Sequence, residues 1–313
     1  MRMTAQVFAM LAPLILAPAL FSQDKSAAGK GVPTKKSKEA KPDPPPFAWV
    51  NPPGGKAHPR LQHSTFFSEL ANSKVGYGIV LPLNYDQSDV RFPVVYHLHG
   101  GRPGSESKAI SIVGPIADAA EAEMLDSMIH VFVNGGPVSH YNVPDQKGAI
   151  GADVFIRELI PHIDDTYRTI ANRAGRGLTG FSQGGRGTMR LSLRYPDLFA
   201  CAAAGGGGYE AEKRISQSDG YENPTLRFAD GDNAWDLARV YAASDAPRVT
   251  HLIYVGTKGF NYANNLDYMT FLTDLGIEHS KLIVDDVPHS NRQIYDRHAS
   301  DLLRFFARHL GGN

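Results

Sequence analysis

Gly180-Phe181-Ser182-Gln183-Gly184 sets a serine between two glycines, directly after the strand-like run Gly177-Leu178-Thr179. The segment behind it, Gly185 to Tyr195, has the spacing of a helix. A serine at a strand-to-helix turn is held in a strained backbone conformation that lifts its hydroxyl out of the sheet, and flanking glycines let the turn pack closely. The helix that follows aims its free N–H groups and positive dipole end at the same place, where an oxyanion would form. G-x-S-x-G alone is a weak signal in a chain with 31 glycines. The strand–turn–helix context raises it and makes Ser182 the candidate nucleophile, against the plainer reading of a turn serine.

Working outward, strands and helices alternate. Thr65 to Leu70 and Lys74 to Leu81 read as two antiparallel strands, and Arg91 to His99 as a buried strand ending in glycines. A helical stretch near Ser105 to Met124 precedes the apolar strand Ile129 to Val133. Ala152 to Thr169 has helical spacing with Pro161 inside it, which predicts a kink or a split. Further strands are expected at Phe199 to Ala204, Thr250 to Val255 and Lys281 to Val284, with helices at Asn264 to Leu275 and Asn291 to Leu310. This order predicts an α/β fold: a mixed, mostly parallel sheet covered by helices on both faces. Ligands bind such sheets at the carboxyl ends of the strands, where Ser182 falls. The polar stretch from Gly205 to about Asp236 breaks the alternation and suggests an insertion over those ends, suited to a lid or specificity loop.

A serine hydroxyl needs a positioned base. Of the 12 histidines, His289 in Val287-Pro288-His289-Ser290 lies on a loop between the last strand and the last helix, where that base belongs. His251, His298 and His309 read as structural or surface residues. Two backbone donors are expected for the oxyanion: the N–H of Gln183, after the serine, and the N–H of Gly101 in the turn His99-Gly100-Gly101-Arg102. His97-x-His99 could pair as metal ligands, but the glycine turn accounts for His99, so no metal and no cofactor are expected. Trp235, Tyr254, Phe260 and Tyr262 could line an aromatic subsite or serve as core.

At these residues the chain resembles the Putative esterase family of α/β hydrolases, which includes feruloyl and acetylxylan esterases, esterase D-like enzymes and mycolyltransferases. The resemblance rests on Tyr96-His97-Leu98-His99-Gly100-Gly101, Gly180-Phe181-Ser182-Gln183-Gly184-Gly185, Leu193 to Phe199 and Val287-Pro288-His289, and covers roughly residues 65 to 310. It implies the α/β-hydrolase fold and a Ser–His–acid triad. The family's acid would fall at Gly259, in Gly256-Thr257-Lys258-Gly259, so this chain departs from the pattern there. Asp232, on the polar insertion, is taken as the replacement acid; Asn261 as a neutral orienter, Asp267, Asp285 and Asp286 are the alternatives.

Composition bounds the rest. The chain has 313 residues, 42% hydrophobic and 20% charged, with Lys+Arg and Asp+Glu both totalling 32. Zero formal charge argues against a nucleic-acid binder, and Cys201, the one cysteine, allows no internal disulfide and no C-x-x-C site. Arg2 followed by an apolar run from Val7 to Leu20 predicts a signal peptide over residues 1–22 and a secreted or periplasmic protein, with no stable membrane insertion after cleavage. Residues 23–60 are expected to be a disordered Lys/Pro-rich linker and residues 61–313 the catalytic domain. The expected activity is a serine esterase acting on small-molecule or carbohydrate esters. An acyltransferase, peptidase or polyester depolymerase would need the same serine and histidine, and a non-catalytic binding module on this fold is the remaining alternative.

Overall fold

In the computed structural model the described residues are 46–55, 57–87, 89–122, 125 and 127–311, all within the unit Pro45–Asn313. The expected signal peptide over residues 1–22 and residues 23–45 of the expected linker lie outside them. Residues 46–60 do not behave as a linker. The carbonyl of Trp49 accepts from Gly76 N at 2.7 Å, and Asn51 N donates to the buried Glu106 carboxylate at 2.6 Å. The Lys/Pro-rich composition ends at Pro46, and the apolar Phe47-Ala48-Trp49 that follows has a surface to bury.

Eight strands form one sheet, ordered β1 (Gln62–Ser68), β2 (Ser73–Val80), β4 (Ile129–Val133), β3 (Val94–Leu98), β5 (Arg176–Phe181), β6 (Cys201–Gly205), β9 (Thr250–Lys258), β10 (His279–Pro288). The pairs β1–β2 and β2–β4 are antiparallel and all the others parallel. A two-stranded hairpin, β7 (Tyr221–Asn223) and β8 (Leu226–Arg227), stands apart from it. The helices are α1 (Val113–Ala122), α2 (Gly151–Asp153), α3 (Ile160–Thr166), α4 (Gln183–Arg194), α5 (Tyr209–Gln217), α6 (Ala234–Ala242), α7 (Tyr262–Asp274) and α8 (Asn291–His309). Between α2 and α3 the backbone widens to a π-helix over Val154–Leu159. Pro161 follows at once; it lacks the N–H of a normal helical bond, and the wider turn accommodates the missing link without a break.

The pattern of side chains explains the two faces. Along β3, Val94, Tyr96 and Leu98 join a core with Phe155, Leu159 and Ile163, while Val95 faces Ile116, Leu302 and Phe306 from α1 and α8. That alternation follows from the two-residue repeat of a strand. The centre of the sheet is built of small residues: β6 reads Cys-Ala-Ala-Ala-Gly and is wholly buried. Small side chains there let α4 approach closely, and a Cβ on Gly185 would lie only 2.2 Å from the Gly205 carbonyl oxygen. Cys201 is fully buried in this strand, and burial pushes its thiol pKa well up. Among the described residues no helix is long and apolar enough to cross a membrane.

Candidate active site

Ser182 joins the end of β5 to the start of α4, in a central strand flanked by β3 and β6. Its φ of 61° and ψ of −117° are outside the ordinary regions for an L-residue, a conformation that costs on the order of 1–3 kcal/mol and persists only where the surroundings enforce it. The surroundings are glycines. Cβ atoms on Gly180 and Gly184 would lie 2.7 Å and 2.0 Å from the Leu98 carbonyl oxygen. Ser182 N is fixed by the Gly205 carbonyl at 2.8 Å.

The turn after β3 closes over this elbow. A Cβ on Gly100 would sit 3.3 Å from Ser182 Cβ and 3.9 Å from its Oγ. Gly101 has a φ of +70°, a backbone state suited to glycine. The turn is braced from several sides. Ser139 Oγ donates to the Gly101 carbonyl, Lys108 Nζ donates to the Pro103 carbonyl at 2.5 Å, and Gly104 N donates to the Gly136 carbonyl at 2.8 Å. His99 is buried, accepts from Gly135 N at Nε2 (3.1 Å) and faces the Gly100 carbonyl through Nδ1 (3.0 Å). Burial lowers its pKa to about 4, so it stays neutral and serves as a strut. His97 lies in a different environment, bonded to His130 and stacked on Phe132. The two histidines are therefore structural. Among the described residues no group of three or more His, Cys, Asp or Glu could hold a metal.

His289 follows β10 and is half-buried, its ring packed between Phe181 (centroids 4.6 Å apart) and the exposed Phe260 (4.4 Å). Phe181 is the residue before Ser182, and a Cβ on Gly206 would lie 3.3 Å from His289 Cε1. The ring is thus brought to the serine turn. Burial lowers its pKa from 6.5. Its Nδ1 lies 3.2 Å from Asn261 Oδ1. Asn261 is itself buried, and its Nδ2 donates to the Gly206 and Gly207 carbonyls. Those two bonds orient the amide so that its oxygen is the atom offered to the histidine.

Asp232 is not the group at His289 Nδ1, which corrects the expectation for the acid. It is buried and ion-paired through Oδ2 to Arg190 Nη2 at 2.7 Å and through Oδ1 to Arg194 Nη1 at 2.5 Å. Arg186, Arg190 and Arg194 recur every four residues and share one face of α4. A stripe of arginines on a buried helix demands carboxylates, and the insertion supplies Glu212, Glu222 and Asp232. That signal was present in the sequence. Asp286 pairs with Lys258 on the surface, and Asp267 is exposed. Of the four aromatic candidates, Phe260 alone flanks the histidine. Trp235 packs on Tyr268, Tyr254 donates to the Gly180 carbonyl, and Tyr262 packs with the core around Met269.

A groove of about 630 Å³ is lined by His58, Ser107, Lys108, Ile110 and Arg292 among others. A cavity of about 900 Å³, lined by Tyr241, His251 and His279, sits at the amino ends of β9 and β10. Ser182 and His289 line neither; the groove's nearest approach to the site is Lys108, whose Nζ would lie 3.8 Å from a Cβ on Gly101.

Residues 68–209 match a family model described as Putative esterase; His289 and Asn261 lie beyond the matched stretch. An esterase from Mycobacterium tuberculosis is 28% identical over 201 residues, which are 61% of this chain and 43% of the relative. An endo-1,4-beta-xylanase/feruloyl esterase from Xylanibacter ruminicola is 29% identical over 170 residues, 50% of this chain and 23% of that protein. The match thus spans less than half of either curated relative. Among solved structures, a ferulic acid esterase superposes with a TM-score of 0.66 at 21% identity, covering 80% of this chain and 98% of the other. The S-formylglutathione hydrolase of Agrobacterium tumefaciens superposes at 0.64 with 15% identity, covering 80% and 95%. The chain has the α/β-hydrolase fold.

Proposed function

From the match of residues 68–209 to the Putative esterase family model, we propose that this chain is a serine carboxylic-ester hydrolase working through an acyl-enzyme. The observation that carries the reading is the juxtaposition at the carboxyl end of β5. A serine held at positive φ directly follows Phe181, and against that ring packs a histidine whose Nδ1 is oriented by a buried amide.

In this reading His289 takes the Ser182 proton at Nε2 as Oγ attacks the ester carbonyl. The tetrahedral oxyanion is met by the N–H groups of Gly101 and Gln183; Gln183 opens α4, so its N–H has no intrahelical partner. His289 then gives the proton to the departing alkoxide as the C–O bond breaks. Water, activated by the same ring, attacks the acyl carbon and releases Ser182 and a carboxylic acid. Asn261 holds the tautomer with hydrogen on Nδ1 and supplies no charge to the imidazolium. The names of the relatives, a feruloyl esterase and an S-formylglutathione hydrolase, support small-molecule or carbohydrate-linked esters as substrates. The sequence pattern of residues 1–22, expected to be a leader, supports extending the proposal to action outside the cytoplasm.

A fluorophosphonate probe should label the protein at Ser182, and Ser182→Ala should lose both the label and the hydrolysis of p-nitrophenyl, feruloyl and acetyl-sugar esters. Labelling that persists in Ser182→Ala would sink the assignment.

A further inference from the structure

We propose that Arg102 and Arg186 form a carboxylate-binding subsite beside Ser182, held in the free protein by Glu222 of the β7–β8 hairpin, and that preferred substrates are esters carrying a carboxylate. The inference rests on the esterase reading and names a substrate class for it.

The two arginines stand close in the chain to the proposed oxyanion donors. Arg102 follows Gly101 directly, and Arg186 lies one helical turn, about 6 Å, along α4 from Ser182. Arg186 also adjoins the glycine run beside His289, since a Cβ on Gly208 would lie 3.8 Å from its Nε. Between the arginines stands one carboxylate. Glu222 Oε2 accepts from Arg102 Nη2 at 2.6 Å, while Oε1 is 3.8 Å from Arg186 Nη2, too long for a hydrogen bond.

Arg186 is only 4% exposed, yet its Nε and Nη1 have no partner, and neither has the buried Nε of Arg102. The next arginine on the same helix face shows what saturation looks like. Arg190 donates to the carbonyls of Asp232 and His140, pairs with the Asp232 carboxylate and stacks 3.6 Å from the centroid of Tyr141. Buried donors are normally satisfied, and those that are not mark a site for something else. Here Glu222 is the one carboxylate within ion-pair distance of both arginines among the described residues, the buried Glu212 also acting on Arg186, and the rings of Tyr141 and Phe228 lie 6.0 and 5.7 Å from the Arg102 guanidinium. A planar carboxylate fits the forked donors of a guanidinium.

Glu222 occupies this position on a short hairpin outside the main sheet, with side-chain exposure of 15%. A substrate carboxylate would replace it on the same donors, reach the unused ones on Arg186, and return Glu222 to water.

The test compares kcat/KM for anionic and neutral esters of similar size. Mono-4-nitrophenyl succinate against 4-nitrophenyl butyrate places the charge on the acyl side; 4-acetoxybenzoate against phenyl acetate places it on the alcohol side. In one arm the anionic ester should be preferred, the preference should fall with added salt, and Arg102→Gln and Arg186→Gln should each cut the anionic-to-neutral ratio, mainly through KM, by about tenfold, the size of one lost charge-assisted hydrogen bond. Glu222→Gln should raise the ratio by removing the resident competitor. A ratio unmoved by Arg102→Gln and Glu222→Gln in both arms overturns the subsite, and these two variants decide it should Arg186→Gln not fold. Ser182→Ala separates the two levels. If it still hydrolyses these esters the esterase reading fails; if it is inactive while the ratio ignores the arginines, the subsite alone fails.

Discussion

His289 Nδ1 meets the Oδ1 of Asn261 at 3.2 Å, and the other side of that amide donates to the Gly206 carbonyl at 2.5 Å and the Gly207 carbonyl at 3.2 Å. The residue that orients the histidine is therefore bound into the backbone by bonds only an amide can make. A carboxylate could accept from Nδ1 but would turn its second oxygen toward two carbonyls.

From this follows a pH profile. Among the described residues no carboxylate bonds to the His289 ring, and burial lowers its pKa from 6.5. The base is active when neutral, so a lowered pKa keeps it competent as pH falls, and the acid limb of kcat/KM should lie below 6.5. Asn261→Asp should move that limb to higher pH, because an adjacent carboxylate favours imidazolium. It should also destabilise the fold by roughly 1–3 kcal/mol, the cost of stranding buried acceptors. An unshifted limb in that variant would remove Asn261 from the histidine's environment.

The elbow predicts an opposition between stability and chemistry. Ser182→Ala and Ser182→Gly should both lower turnover by several orders of magnitude. Only the glycine variant relieves the φ of 61°. It should unfold at a higher temperature than the alanine variant by roughly 2 °C or more, the shift expected from about 1 kcal/mol in a unit of this size. Calorimetry of the pair checks this.

Asp232→Asn should act on the fold and spare the chemistry. Breaking its pairs with Arg190 and Arg194 leaves a buried guanidinium short of its counter-charge, which typically costs about 3–5 kcal/mol. Turnover per folded molecule should stay within a few-fold. A large loss of kcat in fully folded protein would return Asp232 to the site.

Acid should weaken the structure well above the carboxylate range. His99 and His251 are buried with pKa values lowered to about 4, and His97 and His140 are lowered well below 6.5, in each case chiefly by burial. The unfolded chain protonates these rings near pH 6.5 while the folded one does not. Stability should therefore fall as pH drops from about 6.5 toward 4, by about 1.4 kcal/mol per pH unit for each such ring. Denaturant midpoints at pH 7 and pH 5 would show it, the latter being lower.

The order of strands and helices, the serine turn and the late histidine were legible because each is written in local pattern: alternation, glycine spacing, and position after the last strand. The orienting residue was not. Asp232 and Asn261 both follow strands on polar segments, and nothing local separates them. The choice is made by α4, whose Arg190 and Arg194 claim Asp232 from more than 35 positions away in the chain, and by the glycine carbonyls that hold Asn261. Gly259, where the family pattern would put an aspartate, has the side chain of Asn261 beside it: a Cβ there would lie 3.5 Å from Asn261 Oδ1. The amide two residues on has taken over the space. Likewise the packing of residues 46–60 was not legible, since the contacts of Trp49 and Asn51 are made with β2 and Glu106, which sequence proximity does not reveal.

Cys201 lies sealed in β6 with its thiol pKa pushed up by burial, and it is the one cysteine in the chain. At neutral pH almost none of it is thiolate, so maleimide dyes and spin labels should pass the native protein by. Any cysteine introduced at the surface then becomes a unique attachment point without first removing the natural one. Thr225→Cys at the hairpin tip together with Arg297→Cys on α8 would give a dye pair that reads hairpin displacement, molecule by molecule, as substrate is added.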